Sequence, residues 1–158
     1  LTAVRTSTPW TGVFASTATQ PASPAAAIVP ITYNTVEYSD GVTLGIPASS
    51  VVVQHAGIYD FQFSAQASKT GGGVDYLDIW PRVNGLDVPR SDSQVTLTSA
   101  SDRSIPAWNF VLPMAAGDTF ALMMSSSDGT FSLLAVPPAT GPVRPAIPSM
   151  ILTVTRVA

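Results

Sequence analysis

The sequence has no cysteine and few charged residues. The absence of cysteine among its 158 residues excludes disulfide bonds, thiolate metal ligands and cysteine-based catalysis. Charged residues make up 11% of the chain, with a net charge of −3, whereas a well-solvated surface typically contains about 25–35% of them. Either Ser, Thr, Asn and Gln replace the missing charge, or part of the surface is buried against a partner. The acidic balance argues against a nucleic-acid partner, which would require a basic patch.

Long apolar runs and helical periodicity are missing as well. No run approaches the ~20 apolar residues that a membrane-spanning helix requires, so we expect no membrane insertion. The 14 prolines and 11 glycines are spread through the chain. No long segment keeps the 3.6-residue period of an amphipathic helix, so the sequence predicts a fold built without helices.

The sequence does contain an alternation of apolar and polar residues, which is typical of strands with one buried face. The pattern is clearest at 58–66, where Tyr59, Phe61 and Phe63 alternate with polar side chains. About ten short strands with turn signals between them predict an all-β jelly-roll sandwich. The predicted strands are 10–16, 31–38, 50–54, 58–66, 74–83, 86–88, 94–98, 108–112, 119–124, 131–136 and 150–157.

Two proline-rich segments interrupt the alternation. They are residues 16–30 and residues 137–148, and the second holds five prolines in twelve residues. Such compositions favour extended, polyproline-like surface segments. Because the strand before residue 16 is too short to form a domain alone, we interpret both segments as loops of a single domain spanning residues 1–158.

Three motifs follow one another in an order shared with a known superfamily. Residues 57–61 read Gly-Ile-Tyr-Asp-Phe, residues 79–85 end on Asn-Gly, and residues 117–120 read Gly-Asp-Thr-Phe. With the strands around them, from residue 10 to residue 157, they resemble the C1q and tumour-necrosis-factor superfamily. The chain lacks collagen-like Gly-X-Y repeats and the Phe-x-Gly-Phe ending common in C1q domains. The amino-acid sequences of residues 83–89 and 108–112 are more similar to those of phage and viral members of the superfamily than to those of animal members.

The resemblance implies a homotrimer of jelly-roll protomers. It places the aromatic strand of Tyr59, Phe61 and Phe63 in the sandwich core or near the threefold axis. The composition agrees in part, because three Trp, four Tyr and six Phe give more apolar surface than a small, weakly charged monomer readily hides.

Residues that could support catalysis are scarce. His55 is the only histidine, Glu37 is the only glutamate, and no Gly-x-Ser-x-Gly motif occurs. A Ser–His–Asp triad would require His55 beside a serine and a carboxylate, and a glycosidase would require two facing carboxylates. No spacing in the sequence predicts that the residues of such a triad, or two such carboxylates, lie together. We therefore expect no enzyme and interpret His55 as a turn or interface residue.

Asp75 and Asp78 come closest to a metal-binding pattern. With Asp87 and Asp92 they offer oxygen ligands of the type that Ca²⁺ prefers, and some C1q-like domains bind calcium. The spacing of an EF-hand loop is absent, however, and aspartates near turns commonly accept hydrogen bonds from their own backbone. We expect no metal or other cofactor, with Asp75 and Asp78 as the residues from which a calcium site would be built.

We expect any recognition surface to lie in loops held by rigid strands. The candidate loops are 69–75, 87–103 and 137–148. The candidate contact residues are Lys69, Gly72, Asp87, Arg90, Asp92, Asp102, Arg103 and Arg144. The three tryptophans, Trp10, Trp80 and Trp108, either pack in the core or an interface or form a platform on which a sugar stacks.

These features predict a non-enzymatic, trimeric structural or recognition domain. The expected setting is a virus or phage particle, as a knob, fibre head or capsid decoration, so that the protein is located in the virion or outside the cell. Its expected partners are other copies of itself and a glycan or protein receptor on the host surface. The alternative is a carbohydrate-binding module of a bacterial surface adhesin.

Overall fold

Residues 9–158, which a computed structural model describes, form β-strands joined by turns and loops. The strands are β1 (Thr11–Ser16), β2 (Gln20–Pro21), β3 (Val29–Pro30), β4 (Thr35–Asp40), β5 (Val42–Leu44), β6 (Val51–Val53), β7 (Gly57–Ala65), β8 (Ala67–Lys69), β9 (Asp75–Val83), β10 (Leu86–Asp87), β11 (Ser93–Leu97), β12 (Arg103–Ser104), β13 (Ala107–Met114), β14 (Thr119–Ser126), β15 (Phe131–Leu133), β16 (Ala139–Thr140), β17 (Val143–Arg144) and β18 (Met150–Arg156). The described residues contain no helix, and therefore none that could span a membrane. The all-β prediction is confirmed.

Two large antiparallel sheets form the sandwich. The five-stranded sheet has the order β13-β7-β18-β1-β4, so the first and last long strands within residues 9–158 are neighbours. The seven-stranded sheet has the path β10-β9-β14-β6-β5, with β11 also paired to β9 and β3 to β14. A smaller sheet, β12-β8-β15-β2, and the hairpin β16-β17 complete the described strands.

The core lies between the two large sheets. Tyr59, Phe61 and Phe63 are buried and point inward from β7, while the residues between them point outward. Phe61 stacks on Phe120 of β14 with ring centroids 3.9 Å apart, which joins the two sheets directly. The aromatic strand predicted for the core or the threefold axis therefore packs in the core of the protomer.

A two-residue turn joins β9 to β10. Asn84 has φ of 51° and Gly85 has φ of 79°, the left-handed pair that tight hairpins require and that Asn-Gly adopts readily. The turn sets the register, in which Val83 pairs with Leu86 and Arg82 with Asp87. An Asn-Gly dipeptide between two strands is a strong sequence signal for such a hairpin.

Residues 31–34 differ from the prediction of a strand over 31–38, because β4 begins only at Thr35. The amide of Ile31 donates to a carbonyl of β14 (2.9 Å), while that of Tyr33 donates to a loop carbonyl, Ala48 O (2.8 Å). Both side chains are buried, as an alternating strand would predict. The backbone bonds go to two separate partners, so no continuous ladder forms.

The two proline-rich segments contain more pairing than their composition indicates. Segment 16–30 supplies β2 and β3, and β3 pairs with β14 on the seven-stranded sheet. Segment 137–148 forms the β16-β17 hairpin, which is tied to the chain before it by backbone bonds between Val136 and Ile147.

Candidate functional site

The outer face of β9 presents polar and aromatic side chains to solvent. Alternate residues of a strand point to opposite faces of its sheet, and Leu77 and Ile79 point into the core. The residues between and beyond them therefore line the outer face. They are Tyr76, Asp78, Trp80 and Arg82.

The hairpin after β9 returns a carboxylate onto this row. Asp87 Oδ1 accepts hydrogen bonds from Arg82 Nε (2.5 Å) and from Trp80 Nε1 (2.7 Å). These two bonds hold the pKa of Asp87 below its usual value. They also fix the orientation of the indole, because its only N–H is already engaged.

The loop after β10 turns tightly beside the indole. The amide of Val88 donates to Pro81 O (3.1 Å), and Ser91 Oγ donates to Val88 O (2.6 Å). Arg90, with φ of 60°, has the left-handed backbone that closes this turn. The loop is thereby held against the edge of the seven-stranded sheet.

A groove of about 390 Å³ lies beside this loop. Trp80 lines it, and Ile28, from the segment that leads into β3, provides an apolar wall. The charged residues that line the groove are Asp78, Asp87, Arg90 and Asp92. The fold thus brings together three of the predicted loop residues, Asp87, Arg90 and Asp92, with two residues of β9.

The groove keeps unused hydrogen-bonding groups of both kinds. Asp78 Oδ1 accepts a bond from Gln94 Nε2 (2.8 Å), and Oδ2 of the same carboxylate accepts none from a described residue. Partial burial, and then the negative charge of Asp78, raise the pKa of Asp92. The guanidinium of Arg90 is exposed and donates to no described residue. The groove can therefore both donate to a ligand and accept from it.

Lys69, predicted in a recognition loop, is instead fully buried, with 0% of its side chain exposed. Its ammonium forms an ion pair with Asp75, lies 3.8 Å from Asp128, and donates to Gly73 O (2.6 Å) and Gly72 O (3.3 Å). The expectation that Lys69 contacts a partner is wrong, because its charge is satisfied inside the protein.

Gly72 is exposed, with no atom within 4 Å of the position that a Cβ would occupy. Its neighbour Gly73 has φ of +89°, a conformation that favours glycine, and this turn directs both carbonyls towards the ammonium of Lys69. The glycine-rich loop therefore serves to enclose a cation of the chain itself.

The remaining predicted contact residues lie outside the groove. Asp102 accepts hydrogen bonds from both the amide and the hydroxyl of Thr98 and of Ser99. These bonds lower the pKa of Asp102 to about 2 and make it a turn-forming residue. Arg103 is exposed on β12, and Arg144 Nη1 donates to Pro145 O (3.3 Å) in the second proline-rich segment.

Asp75 and Asp78, named as potential calcium ligands, point to opposite faces of β9. Asp75 is engaged by Lys69, and Asp78 faces the groove. Within residues 9–158, no three His, Asp or Glu side chains are grouped as a metal ion would require.

The other two tryptophans occupy different surroundings. Trp10 stacks on His55 with ring centroids 4.0 Å apart. It also lies against Gly41, where a Cβ would be 2.6 Å from the indole. His55 lies in the bend between β6 and β7, which agrees with the first of its two interpretations, a turn residue. Trp108 is exposed on the edge strand β13 and does not line the groove of Trp80.

Sequence reasoning missed Ile28 and Ser125 as residues of the groove. Ile28 reaches it because β3 pairs with β14, a long-range pairing that no local pattern predicts. Another part of the groove had a usable signal. The alternation along β9 and the two-residue turn together imply that Asp87 returns onto the face of Trp80 and Arg82.

Comparisons with known proteins identify the fold. No family model matches the sequence, and no curated protein is detectably similar to it. Among solved structures, the chain is similar to the globular domain of zebrafish complement 1qA protein, at 16% identity and a TM-score of 0.58, over 96% of this chain and 98% of that one. It is also similar to murine APRIL, at 10% identity and a TM-score of 0.59, over 95% of this chain and 100% of that one. The chain therefore has the C1q/TNF-like jelly-roll fold.

Proposed function

We propose that this protein is a non-enzymatic, trimeric recognition domain in which copies associate through the outer face of the five-stranded sheet. The observation that carries the proposal is the apolar character of that face. Tyr38, Val111 and Ile151 point outward from β4, β13 and β18 and are 52%, 57% and 36% exposed. Val13 of β1 is half-buried beside Tyr38.

A second copy of the chain is the occupant that suits this face. Its polar residues, among them Gln62, Asn109 and Thr153, are mostly uncharged, so they are cheaper to bury than ionised groups. The low charge of the whole chain agrees with a surface that is partly buried by association. The threefold symmetry comes from the resemblance to C1q and tumour-necrosis-factor domains.

Light scattering of the purified protein tests this proposal. The expected mass is three times the 16.4 kDa of one chain. Val111→Arg should yield monomers, because a guanidinium is costly to remove from water at an interface even beside the carboxylate of Asp60, and this desolvation penalty can exceed the Coulombic gain. The monomer itself should stay folded, since Val111 pairs with Asp60 across the strands and an opposite charge there is favourable.

The matched control is Val143→Arg. Val143 is 87% exposed on the β16-β17 hairpin, which belongs to neither large sheet, so this variant should remain trimeric. A wild-type protein that is monomeric at micromolar concentration would contradict the proposal, and so would equal dissociation of both variants.

We propose further that the trimer is a structural part of a virus or phage particle, as a knob, fibre head or capsid decoration that contacts the host surface. Two observations support this proposal. The sequences of residues 83–89 and 108–112 resemble phage and viral members of the superfamily, and an exposed groove lies on the sheet face opposite the proposed trimer contact. Neighbouring genes that encode tail or capsid proteins are the expected finding. Neighbours of bacterial surface-protein type would overturn this assignment.

A carbohydrate-binding module of a bacterial surface adhesin is the second candidate. The groove lined by Trp80 favours it, because sugar-binding sites combine an aromatic face with a few polar groups. The two candidates share the same fold and the same groove, so the genomic neighbourhood separates them and the binding measurement below does not.

A further inference from the structure

We infer that the groove beside Trp80 binds a neutral pyranose sugar, with Asp78, Asp92 and Arg90 as hydrogen-bonding partners. This inference rests on the proposed recognition function and names the chemical class of the ligand. It assigns the site to the outer face of the seven-stranded sheet and the loop 88–92.

The aromatic contribution comes from Trp80. The C–H face of a pyranose ring is apolar, and an indole offers a large, flat apolar surface against which it can pack. Asp87 accepts the indole N–H at 2.7 Å, so the ring is held in place before any ligand arrives. A pre-oriented ring loses little conformational entropy on binding. Ile28 adds an apolar wall to the groove.

The polar groups of the groove are suited to hydrogen bonds with hydroxyl groups. Asp78 and Asp92 are carboxylates that only accept hydrogen bonds when ionised, whereas the guanidinium of Arg90 only donates. Each sugar hydroxyl both donates and accepts, so one ring can satisfy both kinds of partner. Ser125, also in the lining, adds a hydroxyl that can do either.

The charges of the groove disfavour an anionic ligand, which would face the carboxylates of both Asp78 and Asp92. Arg90 alone opposes a cation. Asp87 does not alter this balance, because it is already paired with Arg82. A neutral polyhydroxylated ligand meets no uncompensated repulsion, and the groove volume of about 390 Å³ falls within the ~300–1,000 Å³ typical of small-molecule sites.

The groove also remains open in the proposed trimer. It lies on the outer face of the seven-stranded sheet, whereas the proposed contact between copies uses the outer face of the other sheet. One trimer would therefore present three grooves, and weak single-site binding would be strengthened by avidity on a glycan-bearing surface.

The test is ligand-observed saturation-transfer NMR on the full chain with methyl glucoside, methyl galactoside and methyl mannoside as probes. We expect saturable transfer to at least one of them, and a shift of the Trp80 indole N–H signal, assigned by its disappearance in Trp80→Phe. Glucuronate, whose carboxylate would face Asp78 and Asp92, should bind at least tenfold more weakly. Glucosamine, which carries the opposite charge on a similar ring, measures whether the groove favours a cation over a neutral sugar.

Two variants locate the site. Trp80→Ala and Asp78→Ala should each weaken binding at least tenfold. Tyr76→Ala is the matched control, because Tyr76 lies on the same face of the same strand but does not line the groove, and it should leave affinity within twofold of wild type.

Three outcomes would overturn the inference. They are the absence of transfer to all three neutral sugars, a preference for either charged analogue, and a shift of the Trp10 or Trp108 indole in place of Trp80. Light scattering on the same samples keeps this result separate from the oligomeric proposal. A trimer that binds no sugar would contradict only the sugar-binding inference. A monomer that binds sugar would contradict only the proposed trimer.

Discussion

The two outer faces of the sandwich obey the same alternation but carry different residues. On the five-stranded sheet, the outward positions hold Val111, Ile151 and Tyr38 among polar side chains that are mostly uncharged. On the seven-stranded sheet, the outward row of β9 alternates aromatic and charged residues, as in Asp78 and Trp80. One face is suited to burial against another copy, and the other is suited to a small ligand. Strand pairing alone does not produce this difference; the choice of outward residues does.

The largest effect should come from the core that both faces share. Phe61→Ala removes a fully buried ring that stacks on Phe120, so we expect a loss of about 3–5 kcal/mol in the free energy of unfolding. Urea denaturation measures this loss. Ile46→Ala, at a fully exposed position, is the control and should change stability by less than about 0.5 kcal/mol. A loss below about 1 kcal/mol for Phe61→Ala would mean that the aromatic row does not form the core.

Lys69→Met should be the next largest effect. The substitution leaves Asp75 without its ion-pair partner and two glycine carbonyls without the ammonium donor. Removing one member of a buried ion pair costs about 3 kcal/mol or more. Neither outer face contains Lys69, so trimer mass and sugar affinity should be unchanged in the folded variant. Amine labelling, read at Lys69 by mass spectrometry of the peptide that contains it, gives a second readout, since the chain's single lysine should react only after unfolding. Rapid labelling of the native protein would contradict the buried position.

A smaller effect should appear in acid. Hydrogen bonds from Ser99 and Thr98 lower the pKa of Asp102 to about 2, below the ordinary aspartate value of about 3.9. A lowered pKa stabilises the folded state above the ordinary value, and this contribution is lost as pH falls from about 4 towards 2. Asp102→Asn should therefore lose stability at pH 7 and show a flatter stability profile between those two pH values. A profile as steep as that of the wild type would exclude this role.

The smallest effect should come from the groove itself. The pKa of Asp92 is raised by partial burial and by Asp78, so ionised Asp92 slightly destabilises the folded state above its pKa. Asp92→Asn should increase stability at pH 7 by less than about 0.5 kcal/mol, because the group is exposed and screened. No gain is expected near pH 3, where Asp92 is protonated. A clear loss of stability of Asp92→Asn at pH 7 would show that Asp78 and Asp92 do not repel each other in the folded protein.

Much of the fold could be predicted from local patterns. The alternation of Tyr59, Phe61 and Phe63 placed β7 and its buried face correctly, and the Asn84-Gly85 dipeptide gave the hairpin and its register. These signals lie within a few residues of the structure they specify. The order of the strands in the sheets depends instead on long-range pairings, such as that of β1 with β18, which no local pattern specifies.

The candidate site was only partly predictable. Asp87, Arg90 and Asp92 were expected in a recognition loop and do line one groove, but the contribution of Ile28 depends on the pairing of β3 with β14. Lys69 was predicted at the surface because it is a charged residue beside three glycines. The sequence does not show that the carbonyls of this glycine-rich loop point towards its ammonium. Burial of a charge is a property of the assembled fold.

The measurement that most directly tests this division between two faces is the solution mass of two variants, determined by light scattering at micromolar concentration. Val111→Arg should give the 16.4 kDa of a single chain, and Trp80→Ala should keep three times that mass. Monomeric wild-type protein, or dissociation of the Trp80→Ala variant with retention of the Val111→Arg trimer, would contradict the account.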